Sequence, residues 1–168
     1  MEDIWNITAL VVSVLSVLLS LYALRQATTK NTSDMYLFFI SQYAKEDMKL
    51  ALRKLKDIKR GVYRLEQWES DMKNNLPKAF EYDEARRLVK YFYDTLAYMK
   101  LEKLIEARFV RLICLKKGAW LYLDTVEAME KFFDSGYDKK PYAVIRDVCE
   151  NLRKEGCCLL YTSDAADD

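Results

Sequence analysis

The longest hydrophobic run of the chain lies near the amino terminus and carries no charged residue. From Ile4 to Leu24 it reads IWNITALVVSVLSVLLSLYAL, and Arg25 closes it. A helix from Ile7 to Leu24 is about 27 Å long, close to the hydrocarbon thickness of a bilayer. The run therefore predicts a transmembrane helix within an anchor segment, residues 1–25.

A signal peptide and a buried core helix are the alternatives to an anchor. A signal peptide begins with basic residues and ends in a small-x-small cleavage site. This chain instead begins Met1-Glu2-Asp3, and Arg25 stands two positions before Ala27. A buried core helix does not fit either, because this run is far more apolar than any later segment and has no charged face. Both alternatives are disfavoured.

The flanking charges predict how the anchor is oriented. No lysine or arginine precedes Arg25, whereas Lys30, Lys45 and Lys49 follow it. Because basic flanks stay in the cytoplasm, we expect a short external amino terminus and a cytoplasmic domain at the inner membrane of a cell. These four basic residues are also candidates for contact with lipid headgroups, which makes membrane lipid a predicted partner.

The rest of the chain has helical rather than strand periodicity. Glycine and proline are scarce, at 4 and 2 residues, which argues against an all-β fold built on tight turns. We expect residues 26–34 to form a juxtamembrane linker or to continue the anchor helix. Residues 35–157 then form a bundle-like helical domain, so the fold class is all-α with one amino-terminal transmembrane helix.

Capping signals predict where individual helices begin and end. Met35–Arg60 reads as one helix, with Gly61 where the pattern breaks. Asp83 is a plausible N-cap for a helix at 84–100. Lys117-Gly118 predicts a helix end, and Pro141 fits the first turn of the last helix.

Small residues recur along one face of the predicted anchor at alternating steps of three and four. They are Ala9, Ser13, Ser16, Ser20 and Ala23. Such a seam allows transmembrane helices to approach closely. The same spacing continues as an apolar seam through the following positions: Ala44, Met48, Ala51, Leu55, Ile58, Val62 and Leu65. Two interpretations are open. Either a long helix associates with a second copy, or the anchor stands alone and the later stripe packs within its own domain.

The sequence offers little chemistry. It contains no histidine, which removes the commonest general base and metal ligand. It has no glycine-rich phosphate loop and no metal-ligand spacing. Cys114 and Cys149 fall in apolar helical patterns, where cysteine behaves as a small core residue. We therefore predict no catalytic, cofactor or metal site and no small-molecule substrate, and interpret the protein as not an enzyme.

Two polar segments have both functional and structural interpretations. The basic segment 45–60 could lie against anionic lipids, but acidic residues at helical spacing favour a solvated helix face. The aromatic residues fall at core spacing without a recognition motif, so no nucleic acid is expected. The cluster at 137–142, with Arg146 beyond it, is better explained as a loop between helices.

The carboxy-terminal residues 158–168 resemble a translated sequencing adapter. The stretch CLLYTSDAAD can be encoded in one frame by the end of a transposon adapter, and the codon before it is consistent with Cys157. This resemblance implies that the natural sequence ends near Gly156 and that the domain is truncated. Without these acidic residues and the two of the external tail, the cytoplasmic part has an excess of basic residues.

A second resemblance covers most of residues 1–156. The Leu/Val/Ser-rich anchor, the segment ARRLVKYFY at 85–93 and the segment LEKLI at 101–105 resemble bacterial and phage single-pass membrane proteins of a domain-of-unknown-function family. Such proteins have no assigned catalytic residues. We expect a membrane-anchored domain that binds another protein or itself. The alternative is a tethered effector, in phage defence or membrane stress, with an unrecognised or missing activity.

Overall fold

A computed structural model describes residues 2–134 and 136–156. Within those ranges, side chains are described from residue 33 onward and, nearer the amino terminus, at 13 and 15–23. The described residues are helical and contain no strand, which confirms the all-α class. The chain divides into two compact units, Met1–Leu37 and Phe38–Asp168.

The described helices follow one another with short connections. In chain order they are α1 (Glu2–Ala44), α2 (Glu46–Lys59), α3 (Leu65–Lys73), α4 (Pro77–Leu101), α5 (Ala107–Cys114), α6 (Lys117–Leu121), a π-helical turn (Tyr122–Val126), α7 (Glu127–Phe133) and α8 (Lys140–Lys154).

The predicted anchor falls within α1. Among the described residues, no helix is both long enough and apolar enough to cross a membrane. The transmembrane helix at 4–24 therefore stays a prediction from the sequence. The predicted adapter-derived tail, 158–168, lies outside the described residues.

The helix predicted at Met35–Arg60 is two helices. Lys45 has an extended backbone, with φ −62° and ψ 147°, so α1 ends at Ala44 and α2 begins at Glu46. The hydrophobic period did not show this break because lysine and glutamate are ordinary helix residues. The predicted end at Gly61 is confirmed: its φ of +75° is the left-handed conformation that glycine adopts at helix ends.

The second unit is organised around α4, which packs against α2, α3, α8 and the π-helical turn. The side of α2 that faces α4 buries Met48, Ala51, Leu55 and Ile58. The apolar seam predicted at these positions is therefore part of the domain core, as in the second of the two interpretations.

Helix α4 begins earlier than its capping signals predict. Pro77 occupies its first turn, and the helix runs to Leu101. Asp83 is consequently not an N-cap. It lies inside the helix, only 4% exposed, and its carboxylate binds Arg86. An aspartate followed three positions later by an arginine is compatible with an N-cap and with an ion pair inside a helix. Only the tertiary structure distinguishes the two.

Gly118 also has a different role from the predicted one. It does not end a helix; α5 ends at Cys114, and Gly118 lies in α6. A Cβ atom at this position would come within 2.8 Å of the Tyr93 hydroxyl and 3.0 Å of the Tyr43 hydroxyl. The glycine therefore permits close packing of α6. The first-turn proline of the last helix, Pro141, is confirmed.

Candidate interaction surface

The predicted membrane-helix positions are exposed wherever their side chains are described. Ser13, Ser16, Ser20 and Ala23 all lie on the surface of α1, and Ala9 falls outside the described side chains. The Ser20 hydroxyl donates a hydrogen bond of 2.8 Å to the carbonyl of Ser16, four residues earlier in the same helix. Satisfying the hydroxyl in this way reduces the cost of placing serine in an apolar environment.

The predicted lipid-contacting residues are described only in part. The side chains of Arg25 and Lys30 lie outside the described set. Lys45 and Lys49 are both exposed at the start of α2. The Lys49 ammonium lies 3.4 Å from the Glu46 carboxylate, an exposed pair of small energetic value. The structure thus brings two of the four candidates to one helix end.

An apolar groove lies beside that helix end. We call it the α1–α2–α4 groove; it has a volume of about 260 Å³. Its lining is formed by the following residues: Phe38, Phe39, Gln42, Lys45, Asp47, Met48, Leu88, Tyr91, Phe92 and Thr95. Apolar and aromatic side chains form most of this lining, and the charged groups are one lysine and one aspartate.

Aromatic packing fixes the floor of the groove. The Phe39 and Phe92 rings meet edge to face with centroids 5.3 Å apart, and Phe39 is only 2% exposed. The walls are open by contrast: Phe38 is 54% exposed and Tyr91 75% exposed. A rigid floor with exposed aromatic walls is typical of protein interaction sites.

The groove could not be predicted from the sequence because its walls come from separate helices. Leu88 lies on α4 beside the buried Val89 and Phe92 and is itself 37% exposed. Tyr91 follows it by three positions, on the same side of the helix. The apolar stripe of α4 is wider than contact with one helix requires, which indicates that a second element packs against α4.

The most buried charges form a separate network inside the domain. The Arg86 guanidinium binds the Asp83 carboxylate, with Nε 2.8 Å from Oδ1, and also pairs with Glu130 on α7. Asp83 has a second partner in Arg87, whose Nη2 lies 2.6 Å away. Lys90 pairs with Asp94 one turn further along α4. These charges connect α4 to α7.

Tyrosines extend this network to the last helix. The Tyr122 hydroxyl donates a 2.5 Å hydrogen bond to Asp94, and its ring stacks on Tyr142 at 4.4 Å with an interplanar angle of 5°. Burial and the bond to Asp94 raise the pKa of Tyr122 far above its usual value. The π-helical turn thus places Tyr122 between α4 and α8.

Glu127 completes the network at the surface. Its carboxylate accepts a 2.6 Å hydrogen bond from the Tyr137 hydroxyl and a 2.5 Å bond from Arg146. Burial, followed by the bond to Glu127, raises the pKa of Tyr137 to about 12. The segment 137–142, predicted to be a helix-joining loop, is one only up to residue 139, because α8 begins at Lys140. Glu127, Tyr137 and Arg146 satisfy one another, which is the arrangement of a structural network rather than a reactive one.

Two buried thiols lie between α5 and α8. Cys114 and Cys149 are each 1% exposed and are free cysteines. A hydrogen bond between the two sulfur atoms and burial raise the pKa of the Cys114 thiol. A raised pKa keeps the Cys114 thiol protonated. The burial of both cysteines agrees with their predicted role as small core residues.

Comparison with known proteins gives no match: no family model, curated protein or solved structure is significantly similar to this chain.

Proposed function

We propose that the protein is a single-pass protein of a bacterial inner membrane whose helical cytoplasmic domain acts by binding a second protein, foremost another copy of itself. The observation that carries this proposal is the exposure of α1. Every described side chain at 13 and 15–23 is exposed, including Leu18 at 57% and Leu19 at 66%. A helical stretch that carries no charge and exposes large apolar side chains needs an apolar environment.

The orientation follows from the charges around this helix. Residues 1–24 contain no lysine or arginine, and Arg25 and Lys30 follow directly. The proposed topology places the amino terminus outside and the domain from Phe38 onward in the cytoplasm. Tyr22, 66% exposed near the cytoplasmic end, suits the membrane interface.

Non-covalent binding explains the domain better than catalysis does. Its buried charges are engaged with one another, whereas its exposed groove is apolar and aromatic. A membrane-tethered effector with an unrecognised activity is the second candidate.

Crosslinking of the full-length protein in native membranes tests this proposal. A crosslinked dimer or a specific partner is expected, and membrane extraction should release the protein only with detergent. Replacing Ser16 and Ser20 with leucine should leave insertion intact and reduce the dimer, because bulk on the small-residue face separates the helices. The matched control is Leu18→Phe with Tyr22→Trp, which adds bulk to the opposite face.

Two results would contradict the proposal. Release of the protein by salt or alkaline carbonate alone would exclude an inserted anchor. Failure to detect any crosslinked species, in membranes where a known dimer is captured, would exclude the binding function and favour the effector.

A further inference from the structure

We propose that the α1–α2–α4 groove is the surface through which two copies of the cytoplasmic domain bind each other around a two-fold axis. This inference rests on the proposed function and names the surface that performs it. The groove is the apolar depression whose walls are Phe38, Leu88 and Tyr91, with Lys45 and Asp47 also in its lining.

The charges of the groove are self-complementary. Lys45 and Asp47 stand two residues apart at the start of α2, and both are exposed. Neither forms an ion pair with any residue that the structure describes. In a two-fold interface, residue i of one copy meets residue j of the other, and j meets i. One lysine and one aspartate can thus form two ion pairs between copies.

Attachment to a membrane favours this symmetry. Two copies anchored in the same orientation can be related by a two-fold axis along the membrane normal, which allows equivalent surfaces to meet. The groove begins at Phe38, only 14 positions after Leu24, so the anchors keep the two grooves near one another. Confinement of this kind raises the effective concentration and allows a modest interface to form a dimer.

The neighbouring charges argue against an anionic membrane as the occupant. Leu88 also lines a second cleft, where Asp47, Glu81 and Glu84 are found beside Lys54. The Lys54 ammonium is engaged with Glu81 at 2.9 Å. Three carboxylates against one lysine give this side a negative charge, which anionic lipid headgroups repel. A second copy brings Lys45 to the same region.

Charge reversal tests the inference in the full-length protein. Two differently labelled copies are reconstituted in vesicles of phosphatidylcholine, and association is measured by energy transfer. Lys45→Asp alone gives two carboxylates in every groove, and Asp47→Lys alone gives two cations. Each variant by itself should associate at least about tenfold more weakly than the wild type, because like charges meet twice in the dimer.

Mixing the two variants should restore association to near the wild-type level. Every ion pair is then re-formed with its direction reversed, so recovery also shows that both variants are folded. The matched controls are Arg64→Asp and Glu66→Lys at the start of α3. Arg64 and Lys45 share the same cap geometry, with ψ of 147° at both, and the controls should associate as the wild type does.

The possible outcomes distinguish an error in the groove assignment from an error in the proposed self-association. Equal association in all samples, or a loss that mixing does not reverse, overturns the groove assignment and leaves self-association standing. Absence of association in the wild type overturns self-association itself. Repeating the experiment with anionic lipid added distinguishes membrane contact: dependence on lipid charge instead of on the partner variant would overturn the inference.

Discussion

The ion pairs of Arg86 offer the sharpest test of how the domain is held together. Arg86 is 8% exposed and binds two carboxylates that are equally sheltered, Asp83 at 4% and Glu130 at 8%. Its guanidinium also lies 4.7 Å from the centre of the Phe133 ring. Replacing Arg86 with methionine keeps much of the side-chain volume but leaves both carboxylates without their main partner.

The expected loss of unfolding free energy depends on which cations remain beside the two carboxylates. Removing one member of a buried pair costs about 3–5 kcal/mol of unfolding free energy. Here Asp83 keeps Arg87 at 2.6 Å, and Glu130 keeps Lys90 at 3.9 Å. These second cations place the loss for Arg86→Met near the lower bound, at about 3 kcal/mol. Arg87→Met should cost less than about 1 kcal/mol, since its side chain is 62% exposed.

A double variant distinguishes burial of an unpaired charge from the loss of packing. Arg86→Met combined with Glu130→Met removes both charges between α4 and α7, so the cost should be at least about 1 kcal/mol smaller than the sum of the single variants. Additive costs would contradict this explanation.

Urea denaturation in detergent micelles, followed by tryptophan fluorescence, measures these differences. Trp68 is fully buried and lies 5.6 Å from the Phe133 ring, so it reports on this region directly. Equal losses for Arg86→Met and Arg87→Met would refute the reasoning, because the two residues differ mainly in burial.

Three further predictions follow from the core. Gly118→Ala should lower the unfolding free energy by about 1–3 kcal/mol, and Tyr93→Phe in the same chain should recover part of it, because the Tyr93 hydroxyl is the nearest obstructing atom at 2.8 Å; additive losses in urea would contradict this. The folded pKa of Tyr137 is about 12 against 10.0 for an unperturbed tyrosine, so its contribution to stability should be complete below pH 10 and lost as the pH rises to about 12; an equal loss of stability over this pH range in Tyr137→Phe would contradict it. Leu55→Ala, at a fully buried site, should cost about 2–5 kcal/mol, whereas Val62→Ala, at a site 73% exposed, should change stability by less than about 0.5 kcal/mol; similar thermal midpoints for the two would contradict the burial of the α2 seam.

Helical periodicity in the sequence predicted the all-α class. Residues whose role depends only on backbone conformation, at the beginning or the end of a helix, were also predicted. Pro141 suits a first helical turn wherever it occurs, and Gly61 suits a left-handed helix end. Asp83 and Gly118 could not be interpreted in the same way. Asp83 binds Arg86, whose guanidinium also pairs with Glu130 on α7. The glycine is required by side chains 25 and 75 positions away along the chain, Tyr93 and Tyr43.

The apolar seam of α2 could be predicted from the sequence, but the helix that covers it could not. A stripe of apolar residues at alternating steps of three and four indicates that a helix face is covered, but it does not distinguish a covering helix of the same chain from one of a second copy. From Met48 to Ile58 the cover is α4. Two copies that associate beyond the membrane must therefore use other surfaces. Phe38, Leu88 and Tyr91 remain exposed beside that seam and come from helices about 50 positions apart, so only the fold brings them together.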